Sequence, residues 1–255
     1  MLKLIKYEFR KNRTGLLVML LIAAGLFLLA PLGALLDKDG LIVCSFVLLC
    51  IYGGAAYVYV LARGISAYSS ELKNRTGYLL MLVPRSTMSI LFSKLLFTLF
   101  FALALMALSA VALMGAGGIL MREMYGARSL VDMLRLGLAQ LGMSMDMLAS
   151  TALFFVVEVL SSVLAVVSIA YLSTTLSATV LQQGRMRGMV DTLIFLALFF
   201  GLSWLTDRLT PEMQDLFRNV GSALRAASPV VLVDLAFTAI FTALIAVLLK
   251  RKVAL

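Results

Sequence analysis

The sequence predicts an all-α integral membrane protein with six transmembrane helices in a single domain over residues 1–255. The first observation is composition: 62% of the 255 residues are hydrophobic and 14% are charged, whereas soluble domains are about half apolar and about a quarter charged. The second is that the apolar residues form long runs, since about 20 helical residues are needed to cross a hydrocarbon core of ~30 Å. The third is the absence of the alternating segments, about ten residues long, that are typical of a transmembrane barrel.

Polar connections separate the six predicted spans and differ greatly in length. The first is the short turn from Asp37 to Gly40. The second, from Arg63 to Lys94, is far longer than a turn requires. A polar segment over 122–147, a short basic loop and a second polar segment over 206–229 complete the set. The predicted spans are Leu16–Leu36, Leu41–Ala62, Leu95–Met121, Leu148–Ser173, Met189–Leu205 and Val230–Leu249.

Lysine and arginine are distributed asymmetrically over the predicted connections. Fifteen of the 22 lie in the two terminal segments and in the second and fourth connections. Because basic loops are retained in the cytoplasm, both termini and the Arg63–Lys94 stretch are predicted to be cytoplasmic. The net charge of +9 therefore reflects topology and attraction to anionic membrane lipid, and it does not indicate nucleic acid as a partner.

Residues 1–13 predict an amphipathic helix that lies in the cytoplasmic interface before the first span. A purely basic flank that sets the topology is the alternative interpretation. On a helical wheel, one side carries Met1, Leu2, Ile5 and Phe9, and the other carries Lys3, Lys6, Arg10 and Lys11.

The long second connection contains the stretch ELKNRTGYLLMLVPRSTMSILFSKLL, from Glu71 to Leu96. Its apolar part is too short to cross the membrane and has no reason to face water, so it is predicted to lie at the interface or under protein. A short helix with a charged head and an apolar flank suits the docking of another protein. The alternative is an interfacial helix that only anchors the loop. The pentapeptide KNRTG occurs both here, at Lys73–Gly77, and at Lys11–Gly15.

Glu158 is identified as the one carboxylate well inside a predicted span. A charged side chain at that depth costs about 2.5–3.5 kcal/mol or more, so Glu158 is predicted to face protein or water. One interpretation is a translocation path or gating contact, and the other is a hydrogen-bonded seam between helices. Asp191 is predicted to pair with Arg187 at the interface. The polar residues within about 100° of Glu158 on the wheel are Ser161, Ser162, Ser168 and Thr175.

The absence of two residue patterns excludes common chemistries. The chain has no histidine, which removes His-based triads and the zinc-protease helix motif. It also lacks the phosphate-binding loop GxxxxGK[ST], so ATP hydrolysis by that route would need another subunit. An intramembrane enzyme has little support, because Glu158 is predicted to stand alone.

The polar segment over 206–229 is predicted to form a helix on, or dipping into, the outer face of the membrane. Thr210 is placed as its N-cap and Pro211 as its first helical residue. Such a helix could seal an outer gate, or it could simply cap the interface.

Two stretches carry a resemblance to a known family. SSELKNRTGYLLMLVPRSTMSILFSKLL resembles the first cytoplasmic loop of bacterial permeases in the type-2 ABC exporter family. In that loop an acidic residue, a T/G-Y-L-L patch, a proline with basic or hydroxyl neighbours and a later lysine recur before the third span. MLKLIKYEFRKNRTGLL is similar to the family's basic connecting helix. With the six spans and the polar outer segment, the resemblance covers nearly the whole chain.

The resemblance implies the permease half of an exporter in a bacterial cytoplasmic membrane. Two permease subunits, identical or homologous, would pair, and two separate cytoplasmic ATPase subunits would bind ATP and magnesium. The chain itself would then be no enzyme and would hold no metal. An amphipathic or hydrophobic substrate such as a drug, an antimicrobial peptide or a lipid is expected. The alternative is a non-transporting membrane sensor or assembly subunit that docks a cytoplasmic partner through the same loop.

The resemblance implies roles for the residues at matching positions of the loop. In this comparison, 63–94 is the loop that contains the coupling helix. The residues expected to face the ATPase are Tyr68, Ser70, Glu71, Leu72 and Arg75. Gly77 and Pro84 would shape the turn. A minor cytoplasmic contact is expected from the fourth connection, at Gln183, Arg185 and Arg187.

Overall fold

The structure, a computed structural model, describes residues 2–73, 87–125, 131, 144–180, 187–209 and 220–253. These residues contain six long helices and no strand. The helices are α1 (Leu2–Leu35), α2 (Asp39–Lys73), α3 (Thr87–Tyr125), α4 (Met145–Val180), α5 (Arg187–Leu209) and α6 (Val220–Val253).

All six helices contain a segment long and apolar enough to cross a membrane, which confirms the predicted number of spans. In a bilayer every backbone N–H and C=O must be paired within the protein, so a long apolar run folds as a helix. The six apolar segments are Lys6–Leu35, Asp39–Ser70, Thr87–Glu123, Leu148–Thr179, Gly188–Arg208 and Pro229–Leu249.

Helix α1 runs without interruption from Leu2 to Leu35. The described residues of the predicted interfacial helix over 1–13 form the first turns of α1 and are continuous with its apolar segment. Its two-sided character is nevertheless present: Lys6 and Arg10 are exposed, while Phe9 packs edge-on against Phe97 of α3 with ring centroids 5.1 Å apart. Phe9, on the apolar side, thus contacts protein.

The predicted outer-face helix over 206–229 lies only partly within the described residues. Residues 206–209 belong to the end of α5, and 220–229 belong to the start of α6. Thr210 and Pro211 lie outside the described residues.

A tight turn joins α1 to α2. The amide of Lys38 donates to the Gly33 carbonyl at 2.9 Å, and Asp37 has a φ of 48°, a left-handed value that Asp tolerates better than most residues. This is the hydrogen bond of a Schellman helix end. Gly33 also admits the start of α2, since a Cβ atom there would lie 2.8 Å from Ile42 Cγ1.

The core lies around α4, which packs most extensively on α6 and also contacts α2, α3 and α5. Helices α1, α2 and α3 form a second set of mutual contacts. Helix α5 is the least buried of the six spans. Many exposed side chains are large and apolar, which suits a surface covered by lipid. The largest fully buried side chains are Tyr171, Lys94, Phe97, Phe101, Ile42 and Leu49.

Candidate functional site

The residues expected to contact a cytoplasmic partner lie at or beyond the end of α2. Glu71 and Leu72 occupy its last turn, and Ser70 is partly buried there. Arg75, Gly77 and Pro84 lie outside the described residues. In the fourth connection, Arg187 is the first residue of α5, whereas Gln183 and Arg185 lie outside the described residues.

Tyr68 occupies a different environment from the one expected. Its side chain is 4% exposed, and its ring stacks on Tyr171 of α4 with centroids 4.4 Å apart. The Tyr68 hydroxyl shares a hydrogen bond of 2.6 Å with Thr175 Oγ1. Aromatic stacking and this buried hydrogen bond hold the ring inside the bundle. Tyr68 therefore does not offer its ring to a partner.

The same part of α2 lies unusually close to α3 and α4. Tyr171 Oη donates to the Gly64 carbonyl at 2.9 Å, so a side chain of α4 is bound to the backbone of α2. A Cβ atom at Gly64 would lie 2.8 Å from Thr98 Cγ2 and 3.1 Å from Val167 Cγ2. Glycine at this position is what allows the three helices to meet.

A buried ion pair connects α1 to α3 at this level. Lys94 Nζ donates to Glu8 Oε1 at 2.9 Å, and the two side chains are 2% and 6% exposed. Lys94 Nζ also donates to the Ala67 carbonyl of α2 at 2.8 Å. Glu8 Oε2 is buried without a hydrogen-bond partner within the described part of the chain. Breaking a buried pair of this kind by removing one charge typically costs about 3–5 kcal/mol.

Together these contacts form what we call the polar junction, which consists of Glu8, Ala67, Tyr68, Lys94 and Tyr171. It joins α1, α2, α3 and α4 next to the two ends of the 74–86 segment. The ion pair is not predicted by the sequence analysis, in which Lys94 is a basic residue of the second connection and the later lysine of the family resemblance. The available signal was Glu8, the one acidic residue among the basic residues of the N-terminal segment.

A second polar site lies deeper, between α4 and α6. Ser161 Oγ lies 3.1 Å from Asp234 Oδ2 and 3.0 Å from the Glu158 carbonyl, so that these two acceptors share its single O–H donor. Asp234 is 4% exposed, and Glu158 is partly buried. The expectation that Glu158 stands alone was therefore wrong, because a second carboxylate lies across the helix contact. Asp234 falls inside the predicted last span, so its position in the sequence could have identified it.

The other polar residues of the α4 stripe face neighbouring helices. Ser162 Oγ lies 3.4 Å from Tyr57 Oη of α2, and Ser168 is fully buried and donates to the Ala165 carbonyl at 2.8 Å. Asp191 accepts from Ser173 Oγ at 2.8 Å. The Ser162 contact joins α4 to α2 and the Asp191 contact joins α4 to α5, whereas the Ser168 hydroxyl bonds within α4.

Neither the polar junction nor the Ser161–Asp234 site brings together a set of metal ligands within the described residues. Within the described ranges, no three His, Cys, Asp or Glu side chains come together in a group that could hold a metal ion. The chain has no match among family models, curated proteins or solved structures. The arrangement of the two polar sites is therefore the basis for any functional proposal.

Proposed function

We propose that this chain is the membrane-spanning permease subunit of an ABC exporter. It would pair with a second permease subunit, identical or homologous, and dock two cytoplasmic ATPase subunits that bind ATP and magnesium. The 63–94 stretch would contain the coupling helix. The cargo would be amphipathic or hydrophobic, for example a drug, an antimicrobial peptide or a lipid, and would move outward across a bacterial cytoplasmic membrane.

The observation that carries this proposal is the polar junction. Helix α2 is continuous from Asp39 through its span to Lys73, where the 74–86 segment begins. At Gly64 and Ala67 its backbone carbonyls are bound by Tyr171 of α4 and Lys94 of α3. A displacement of the loop by a partner would therefore move a helix whose end is bonded to α3 and α4, and Lys94 of α3 is bonded in turn to Glu8 of α1. Such a connection is what a chain needs to convert motion of a cytoplasmic subunit into motion of its spans.

The distribution of lysine and arginine supports an orientation in which both termini are cytoplasmic. If all six helices cross, both termini lie on the same side of the membrane. The basic excess in the termini and in the second and fourth connections favours the cytoplasm for that side. The polar junction would then lie near the cytoplasmic surface, where an ATPase could act on it.

Co-purification tests the proposal directly. The tagged chain is isolated from its own host in mild detergent, and its partners are identified by mass spectrometry. We expect a soluble subunit with a phosphate-binding loop in near-stoichiometric amount, and we expect Glu71→Lys to reduce its recovery. Glu123→Lys is the matched control, because it reverses an exposed acidic charge at the opposite end of a span.

The outcomes separate two classes of function. Loss of the ATPase with Glu71→Lys but not with Glu123→Lys supports coupling through the loop. Isolation of the chain alone, or with a partner that lacks a nucleotide site, overturns the exporter proposal and favours a sensor or assembly subunit.

A further inference from the structure

Arg63 of α2 occupies an unusual position at the contact between α1 and α2. Its side chain is partly buried. Its Nε donates to Tyr59 Oη at 2.9 Å, and its guanidinium lies 5.3 Å from the centre of the same ring. No carboxylate forms an ion pair with it within the described part of the chain. A partly desolvated guanidinium keeps unused N–H donors in a rigid, planar arrangement.

Gly15 of α1 makes this arrangement possible. A Cβ atom at position 15 would overlap Tyr59 Oη and would lie 3.4 Å from Arg63 Nη2. Glycine therefore lets the tyrosine and the guanidinium lie against the backbone of α1. This accounts for the last residue of the first KNRTG copy, Lys11–Gly15, which the proposed function does not use.

Beside Arg63, the outer faces of α1 and α2 flank the contact between the two helices, and helix geometry predicts a groove between them. The two helices run antiparallel, since Tyr52 Oη donates to the Met19 carbonyl and Ser45 Oγ to the Leu26 carbonyl further along α1. On each helix the residues that share the face next to the groove follow the i, i+4, i+7, i+11 spacing. These residues are Lys11, Gly15, Val18 and Ile22 on α1, and Ala55, Tyr59, Ala62 and Ser66 on α2.

The groove changes character along its length. At one end are the exposed Lys11 and Ser66, with Arg63 beside them. Toward the centre of the span the walls become apolar and open: Val18 and Ile22 are 48% and 45% exposed, and Ala55 and Ala62 are small and exposed. A cationic end that continues into an open apolar channel matches a molecule with an anionic head and hydrocarbon chains.

We propose that this groove, named here the Arg63 groove, binds an anionic phospholipid. The guanidinium donates to the phosphate, because its fork of N–H groups fits phosphate oxygens. The acyl chains lie along Val18 and Ile22. The positive charge of the guanidinium favours a headgroup with net negative charge over a zwitterionic one. This proposal does not depend on the exporter assignment.

Native mass spectrometry of the detergent-purified chain, titrated with phosphatidylglycerol or with phosphatidylcholine, tests the proposal. We expect the wild-type chain to retain phosphatidylglycerol preferentially, and Arg63→Gln to weaken its binding about fivefold. Arg13→Gln is the matched control, since it removes the same charge from an exposed side chain near the same level of α1, away from the groove. It should change the affinity by less than about twofold. Size-exclusion elution and thermal unfolding establish that each variant is folded.

A second pair of variants tests the apolar part without changing charge. Val18→Trp fills the groove, whereas Leu17→Trp places the same ring on a neighbouring face, and the two native side chains are equally exposed at 48% and 49%. Only Val18→Trp should reduce retention of phosphatidylglycerol. Equal effects of Arg63→Gln and Arg13→Gln, or of the two tryptophan variants, would overturn the proposal. So would equal binding of the two lipids, or full displacement by millimolar inorganic phosphate, which would show a phosphate site that does not require a lipid.

Discussion

The two buried charged sites of this protein are built in opposite ways. In the polar junction, Glu8 and Lys94 carry opposite charges, and Lys94 also donates to the Ala67 carbonyl. In the deeper site, which we call the carboxylate pair, two acidic residues, Glu158 of α4 and Asp234 of α6, lie on packed helices, and the Ser161 hydroxyl bonds to Asp234. Within the described ranges, no basic side chain forms an ion pair with either member of the carboxylate pair.

The polar junction therefore contains a compensated ion pair, whereas the carboxylate pair has two acidic groups and no described cation. Opposite charges in a dry interior attract each other and compensate much of their lost hydration, provided that both are present. Like charges at the same depth raise the cost of burial. The polar junction should therefore be sensitive to the loss of one partner, whereas the carboxylate pair should tolerate or even benefit from the loss of one charge. Four sets of variants test this contrast, in order of decreasing expected effect.

The largest effect is expected from breaking the ion pair. Glu8→Leu leaves Lys94 buried without its carboxylate and should lower the free energy of unfolding by about 3–5 kcal/mol. The double variant Glu8→Leu/Lys94→Met removes both charges and should recover most of that loss. Unfolding in detergent, followed by fluorescence of the single tryptophan, Trp204, measures both values. Equal destabilisation by the single and the double variant would show that the pair is not the source of the effect.

A smaller loss of folding stability is expected from overpacking the contact between α2, α3 and α4. Gly64→Val places side-chain atoms against Thr98 and Val167, which should cost about 1–3 kcal/mol. Gly54→Val is the control on the same helix, because a Cβ atom there meets nothing within 4 Å. Comparable melting temperatures for the two variants would contradict the close approach at Gly64.

Removing one buried tyrosine hydroxyl should lower the folding stability moderately. Tyr171→Phe keeps the stacked ring but loses the hydrogen bond to the Gly64 carbonyl, so a loss of about 1 kcal/mol is expected. Tyr68→Phe should cost a similar amount, because its hydroxyl is bound to Thr175. If Tyr68→Phe instead weakened partner binding at unchanged stability, Tyr68 would belong to a docking surface after all.

The smallest change in stability is expected at the carboxylate pair. Asp234→Asn keeps an oxygen that can accept from Ser161 and removes one of the two carboxyl groups. The free energy of unfolding should therefore fall by less than about 1 kcal/mol, or rise. Glu158→Gln should behave in the same way. A loss as large as that of Glu8→Leu would mean that the carboxylate is held by a cation from outside the described residues.

Much of the architecture was accessible from the sequence because hydropathy acts locally. Six apolar runs predicted six helices, since a chain in hydrocarbon must pair its own backbone groups within each span. The helix ends were less accessible. Helix α2 continues to Lys73, past the predicted end of its span at Ala62. Tyr68 in this extension is bonded to Thr175 of α4, and a hydropathy pattern does not register such contacts.

What only the tertiary structure decided is which polar groups meet. Glu8 and Lys94 are 86 positions apart, and Ser161 and Asp234 are 73 apart, so no local pattern links the members of either pair. Tyr68 was assigned outward from its place in a loop motif, but the packing of α2 on α4 turns its ring into the core. The sequence by itself determined that six helices form, and which segments are apolar enough for lipid and which are polar enough for water. The crossing of those helices, set by side-chain volume at positions such as Gly15 and Gly64, determined which charges are compensated and which are not.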